Sequence, residues 1–429
     1  MALGRRTVPP DWLAVPISLL RPFVTSGSRD WARYYADSGD AFLRIGNLQR
    51  TSIDLDLTDV KYIRLPATDR EGLRTQLEDG DVLVSITADI GIVGFVTPQV
   101  PKPAYINQHI ALLRFDPNEV NPAFIAYALA SQRSQRAFRE LVDAGAKAGL
   151  NLETVQSVVV CCPRRKAEQD RIADCLREVD DLVKHLEQLL AKRRKVKQGA
   201  MQDLLSGRQR LPGFTQPWQL VSFGSLAIPS RDRVARGFAK CIELEDVVAR
   251  TGRLRSSVIG ERAFSGQRTV FRKGDVLFGR LRAYLQKYWL ASIDGVCSTE
   301  IWVLRVNRAK AVPEFVHQVV QTDRFIEAAT VSYGTHMPRS DWRVVGKLEV
   351  LVPEALNEQA TIGSILSDMS AEIAALEAKL TKLRLLKQAM MEELLSGRIH
   401  LVSPHRSAEA APLAVDDSRS PVIDLVHYT

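Results

Sequence analysis

Asn121-Pro122-Ala123-Phe124 carries side chains that could assist a covalent step, because it differs by one residue from an Asn-Pro-Pro-aromatic tetrapeptide whose amide holds an amino group for methyl transfer. Its counterpart in a second copy of the same stretch reads Val312-Pro313-Glu314-Phe315, which lacks the amide, and no glycine-rich loop for a methyl donor lies upstream. Pro at the start of a helix explains both copies without chemistry. No GxxxxGK(S/T) loop is present to cradle the phosphates of ATP. The five cysteines (Cys161, Cys162, Cys175, Cys241, Cys297) form an odd set with no CxxC pair, and the seven histidines do not pair at ligand spacing. Neither a disulfide framework nor a zinc site is expected. The chain is therefore expected not to be an enzyme on its own and to bind no cofactor or metal itself.

Binding is the remaining class of function. The 58 Lys+Arg outnumber the 50 Asp+Glu, giving a net charge of +8, a mild excess that suits a polyanion such as nucleic acid. At 429 residues, 45% hydrophobic and 25% charged, the chain can bury two cores and is not wholly disordered. The amino terminus has no apolar signal segment, with Pro9 and Pro10 interrupting it, and no run is long and apolar enough for a membrane span. A cytoplasmic location without membrane contact is expected. The basic run KRRKVK at 192–197 reads first as a solvated helix face. Its alternative use is to neutralise phosphates without reading bases.

The elements that position these residues are repeated. Residues 168–211 align without a gap on 358–401, with more than a third of positions identical, including LLSGR at 204–208 and 394–398. Leu366, Met369, Ile373, Leu376, Leu380, Leu383, Lys387, Met390 and Leu394 alternate at spacings of three and four. The first copy keeps that register through Leu176, Val179, Val183, Leu186, Leu190, Arg193, Lys197, Ala200 and Leu204. Both copies are expected to be helices of about 55–60 Å that stop at Gly207 and Gly397. A stripe this narrow needs a partner helix, and the other copy in the same chain can supply it as an antiparallel coiled coil.

Between the helices the repeat is fainter. GDVL at 80–83 recurs at 274–277, IALLRF at 110–115 matches IWVLRV at 301–306, and LRIGNL at 43–48 resembles IELEDV at 242–247. Strand-like runs at 155–163 and 344–353 each end on a proline. The expected fold is α+β: two domains of short strands and helices, separated by two long helices, in a pseudo-two-fold internal repeat. The expected boundaries are 1–163, 164–211, 212–353 and 354–401, followed by a loose tail at 402–429.

This order of variable domain, long helix, variable domain, long helix resembles the specificity (S) subunit of type I restriction–modification enzymes. The carriers are the helices entered at Glu168-Gln169 and Glu358-Gln359 and left by LLSGR, together with residues 274–300. The latter look like the signature of that family's target-recognition domains. The first domain departs from it, reading VSITADIGIVGFV after its GDVL. The resemblance implies recognition of an asymmetric, two-part site in double-stranded DNA, one half-site per domain, with the spacer set by the helices. It also implies docking of two adenine methyltransferase subunits and of two motor-nuclease (restriction) subunits, which would carry S-adenosylmethionine, ATP and Mg. The docking helices would use Leu186, Leu190, Leu376 and Leu380. Two other readings stay open: a methylation-only system, and a coiled-coil scaffold for proteins.

Within that resemblance the DNA-reading residues follow from type and position, since Arg reads guanine, Asn or Gln reads adenine, and small polar groups hold phosphates. In the second domain the candidates are Arg280, Arg282, Tyr284 and Lys287 in GRLRAYLQK, and Thr335, His336 and Arg339 in YGTHMPRSDWR. By correspondence, the first domain offers Ser85 and Thr87, then Lys147 and Asn151.

Overall fold

The computed structural model describes residues 9–66, 71–143, 149–255, 260–331 and 338–401. The tail at 402–429 and the candidates Lys147, Thr335 and His336 lie outside the described residues. The chain divides into two compact units, Met1–Lys184 with Lys382–Thr429, and His185–Thr381. Both divisions fall inside long helices, so each unit contains a segment of each helix.

In the first unit, Phe23–Ser26, Ile110–Arg114, Val82–Ser85 and Val93–Phe95 form a four-stranded antiparallel sheet in that order. A second sheet orders Tyr35–Ala36, Lys61–Ile63, Asp40–Leu43 and Ala104–Ile106, the last pair parallel. Strand Val82–Ser85 reads as a continuous apolar run because both of its faces are covered. Val82 and Val84 pack with Phe124, Tyr127 and Phe138 of the helices Pro122–Ala130 and Gln132–Asp143. Leu83 points the other way, into a core with Leu43, Ala104 and Ile106 of the second sheet.

The second unit repeats the first plan. Its antiparallel sheet orders Ala227–Pro229, Ile301–Val306, Val276–Gly279 and Tyr288–Leu290. Val276 and Phe278 face Phe315 and Phe325 of the helices Pro313–Val319 and Asp323–Thr330, and Leu277 faces Ile242, Phe271 and Cys297. Strands Arg233–Ile242, Glu261–Phe271 and Gly295–Ser298 close into a small barrel.

The repeated GDVL is a structural device. Gly80 and Gly274 take φ of 91° and 88° in the turn, a conformation that favours glycine. The buried Asp81 accepts from the Glu78 N–H at 2.7 Å and from Arg114 Nε and Nη2 at 2.7 and 2.8 Å. Asp275 likewise accepts from the Arg272 N–H at 2.9 Å and lies 3.7 Å from Arg305 Nη2. The arginines of IALLRF and IWVLRV are therefore the partners of the aspartates of GDVL. Asn121 caps its helix through the Phe124 N–H at 2.9 Å, the structural reading of that tetrapeptide.

The Glu-Gln pairs fasten the long helices, Lys166–Leu205 and Leu356–Leu394, to their domains. Gln169 donates to Pro163 O at 2.9 Å and accepts from the Asn121 N–H at 2.9 Å. Gln359 makes the same two bonds, to Pro353 O at 2.8 Å and from the Val312 N–H at 3.1 Å. Each strand that delivers a helix, Val159–Pro163 or Glu349–Pro353, pairs antiparallel with Trp12–Pro16 or Trp218–Ser222. The LLSGR glycines cap helix ends at φ 71°, Gly207 against Trp218 and Gly397 against Trp12, with no room for a side chain at Gly397.

Within each unit the helix segments run antiparallel. In the first, Leu176 shares a core with Leu394, and Asp180 forms a buried ion pair with Lys387. In the second, Leu204 shares a core with Ile362 and Leu366, while Arg193 and Arg194 pair with Glu372 and Glu377 at 3.0 and 2.7 Å.

Candidate nucleic-acid interface

In the second unit the two selected stretches meet. The Arg282 N–H donates to Pro338 O at 3.0 Å, the Ser340 N–H donates to Arg280 O at 2.8 Å, and Leu281 bridges Arg339. The Arg280 N–H donates to Glu300 O at 2.9 Å, which adds a third segment to the same rim of the sheet. The Arg280 guanidinium lies over the Trp302 ring at 5.8 Å, with its buried Nε unpartnered among the described residues. Arg282 is exposed at φ 53°, and Tyr284 is 49% exposed. Arg339 grips Glu300 with Nε and Nη2 at 2.9 and 2.8 Å, and those bonds hold the Glu300 carboxyl below the usual carboxylate range. Lys287 instead donates to Leu244 O at 2.7 Å, tying the turn to its neighbour.

The first unit repeats that meeting with different side chains. The Leu150 N–H donates to Ile86 O at 2.8 Å, joining the turn after Val82–Ser85 to the segment that carries Asn151. Thr87 is half-buried with Oγ1 2.7 Å from His109 Nδ1. Asn151 is exposed and caps the helix Leu152–Ser157, accepting from the Thr154 N–H and hydroxyl at 2.7 Å each. Ser85 is fully buried: its hydroxyl donates to Asp89 O at 2.5 Å and accepts from the Ile92 N–H at 2.8 Å, so it shapes the turn from inside.

Sequence reasoning passed over the third segment in both units. Gln108 and His109 precede Ile110–Arg114 as Thr299 and Glu300 precede Ile301–Val306. The aligned strands locate them, but short polar entries to a strand carry no period to draw attention. Also missed was the ribbon formed by Arg233–Ile242 and Glu261–Phe271, whose counterparts in the first unit are only Asp40–Leu43 and Lys61–Ile63.

On the long helices, Leu186, Leu190 and Leu380 are buried and Leu376 is half-buried. The basic run is divided: Arg193 and Arg194 bind acids of the second helix, and Lys197 donates to Gln321 Oε1 at 3.3 Å. Burial lowers the Lys197 pKa, while Lys192 and Lys195 are exposed. For Glu377, burial raises the carboxyl's pKa, and hydrogen bonds from Arg194 and Arg253 more than offset that.

Among the described residues, Asp11, Glu168 and His400 are the one group able to place three ligand atoms within 4.8 Å of one another. His400 Nδ1 lies 2.9 Å from the buried Glu168, and burial raises that carboxyl's pKa. At the matching place in the second unit, Arg210 binds Glu358 at 2.8 and 3.0 Å and Trp218 Nε1 donates to it at 3.2 Å. A side-chain donor thus holds the carboxylate in both copies, which makes the pair a fastening of the helix start. Among the described residues, no helix is long and apolar enough to cross a membrane.

Residues 69–192 match the family described as Type I restriction modification DNA specificity domain. Among solved structures, the chain is similar to the type I restriction–modification system S subunit from M. genitalium. That match has a TM-score of 0.59 and 14% identity, covering 92% of this chain and 98% of that one. It is also similar to a chain from a study of complex assembly and conformational transition of the type I R-M system. There the TM-score is 0.52 and the identity 16%, covering 92% of this chain and 100% of that one. No curated protein matches the chain. Residues 69–192 thus match a type I restriction modification DNA specificity domain by sequence, and over nearly its whole length the chain shares the fold of those two structures.

Proposed function

We propose that this chain is the DNA-recognition subunit of a type I restriction–modification complex and reads a bipartite, asymmetric duplex site, one half-site per unit. One observation carries the reading. In each unit two loops, joined by a backbone hydrogen bond at the rim of the same four-stranded sheet, present different polar side chains. These are Arg280, Arg282, Tyr284 and Arg339 in one, and Thr87 and Asn151 with the added Gln108 in the other. Arginine favours guanine edges and amides favour adenine, so unlike rims read unlike sequences. Lys147, Thr335 and His336 belong to the same loops by sequence and are part of the proposed surface.

The helices, 40 and 39 residues long, set the spacer in this account. At about 1.5 Å per residue they exceed one turn of B-DNA, roughly 34 Å. With Leu186, Leu190 and Leu380 covered, two adenine methyltransferase subunits dock on the outer helix faces, and restriction subunits join that core. S-adenosylmethionine, ATP and Mg belong to those partners, and this chain contributes recognition without catalysis. Co-expression with the methyltransferase subunit, followed by methylation mapping of the host DNA, tests the reading. A two-part motif with a fixed unspecified spacer is the expected result, and protein-dependent methylation without a motif contradicts it.

A further inference from the structure

The ribbon of the second unit has one satisfied face and one open face. From Arg236 opposite Ser265 to Lys240 opposite Glu261, the strands pair in regular antiparallel register. Successive side chains alternate between the two faces. One face carries Gly237, Ala239, Arg262 and Phe264. There a side chain at Gly237 would meet the Phe264 ring at 3.1 Å, and Arg262 binds Cys241 O at 3.3 Å and lies 3.6 Å from Glu243.

The other face carries Arg236, Phe238 and Lys240. Arg236 has no partner among the described residues, and Phe238 is 68% exposed, more than any other large apolar side chain described. Their cross-strand neighbours, Ser265 and Ala263, are small, so the guanidinium and the ring stand clear of the ribbon. A lone exposed aromatic is ordinary on a protein surface, but flanked by two cations on a two-stranded ribbon it presents the mixture of charge and apolar surface that suits duplex DNA.

Resting on the recognition function proposed above, we infer that this face of the ribbon enters the major groove of duplex DNA and sets bases of one half-site. The major groove, about 12 Å wide, admits a two-stranded ribbon, where Arg pairs with guanine O6 and N7 and Phe packs on a thymine methyl. Lys240, with Glu261 opposite it, sits at the barrel end of the ribbon and neutralises a phosphate. Among its described residues the first unit has no ribbon of this length, so the device is assigned to one half-site.

The test uses the full chain assembled with its methyltransferase subunits, comparing wild type with Arg236→Ala, Phe238→Ala and Lys240→Ala by methylation mapping and by binding to the mapped duplex across salt concentrations. Arg236→Ala and Phe238→Ala are expected to relax one or two positions of a single half-site, with discrimination there falling roughly ten-fold or more. Lys240→Ala is expected to lower affinity on all sequences and to reduce the salt slope by about one. Unchanged thermal melting of the exposed-site variants separates these effects from misfolding. A wild-type bipartite motif that survives both Arg236→Ala and Phe238→Ala, or a loss uniform across sequences, overturns the ribbon assignment while leaving the recognition function standing. Absence of any motif from the wild type overturns both.

Discussion

His317 shows how a single side chain ties the second unit to pH. It lies against the Tyr288 ring and Gly252, and burial, with Lys197 nearby, pushes its pKa down to about 4. A histidine is ordinarily half-protonated near about 6.5, so the unfolded chain binds the proton more tightly than the folded one. The stability this provides is complete above about pH 6.5 and is lost as pH falls toward 4. Wild-type melting temperature is expected to drop across that window, and His317→Gln to flatten the drop; parallel profiles would contradict this. Asp180 makes the opposite case in the first unit. Burial raises its pKa, Lys387 offsets that only in part, and the Tyr127 hydroxyl donates to it at 2.8 Å. Lys387→Met leaves a buried carboxylate without its cation and is expected to cost about 3–5 kcal/mol in urea unfolding near neutral pH. With the folded pKa raised further, the deficit should shrink as pH falls and Asp180 takes up a proton. A deficit that grew in acid would contradict the assignment. Neither role was legible in the sequence, where Lys387 counted only as one more position of the helical stripe and His317 carried no motif.

At the scale of elements, what was readable divides by burial. The long helices announced themselves because an apolar stripe has a period, and the residues of that stripe, Leu176, Leu186, Leu190, Leu204, Leu366, Leu380 and Leu394, are buried. The function of Glu168-Gln169 was visible as a repeat but not as a mechanism, since the glutamine's partners lie on backbone 6 and 48 residues away. The ribbon was invisible for the converse reason: with both faces largely exposed it lacks the alternation that marks a half-buried strand. If the helices set the spacer, four residues inserted between Leu186 and Leu190 add about 6 Å, or one to two base pairs of rise. The mapped spacer is expected to change while both half-sites keep their bases; altered half-site bases with an unchanged spacer would refute the ruler.

At the scale of the molecule, a linear succession of domain, helix, domain, helix becomes two units, the first of which draws on both ends of the described chain. Gly397 rests on Trp12, His400 reaches Glu168, and Leu394 enters the core with Phe124, so the first unit is incomplete without residues after 381. The second unit obtains the same closure from Gly207, Arg210 and Leu204. Repetition of that closure, with unlike rims on like sheets, is what supports the proposal that the two units read different half-sites. The most direct test is single-molecule methylation mapping in a host lacking other adenine methylation, with the chain and its methyltransferase subunit supplied together. The account predicts one asymmetric motif in two parts, separated by a spacer of constant length. A single continuous motif, a symmetric one, or scattered methylation without a motif would contradict it.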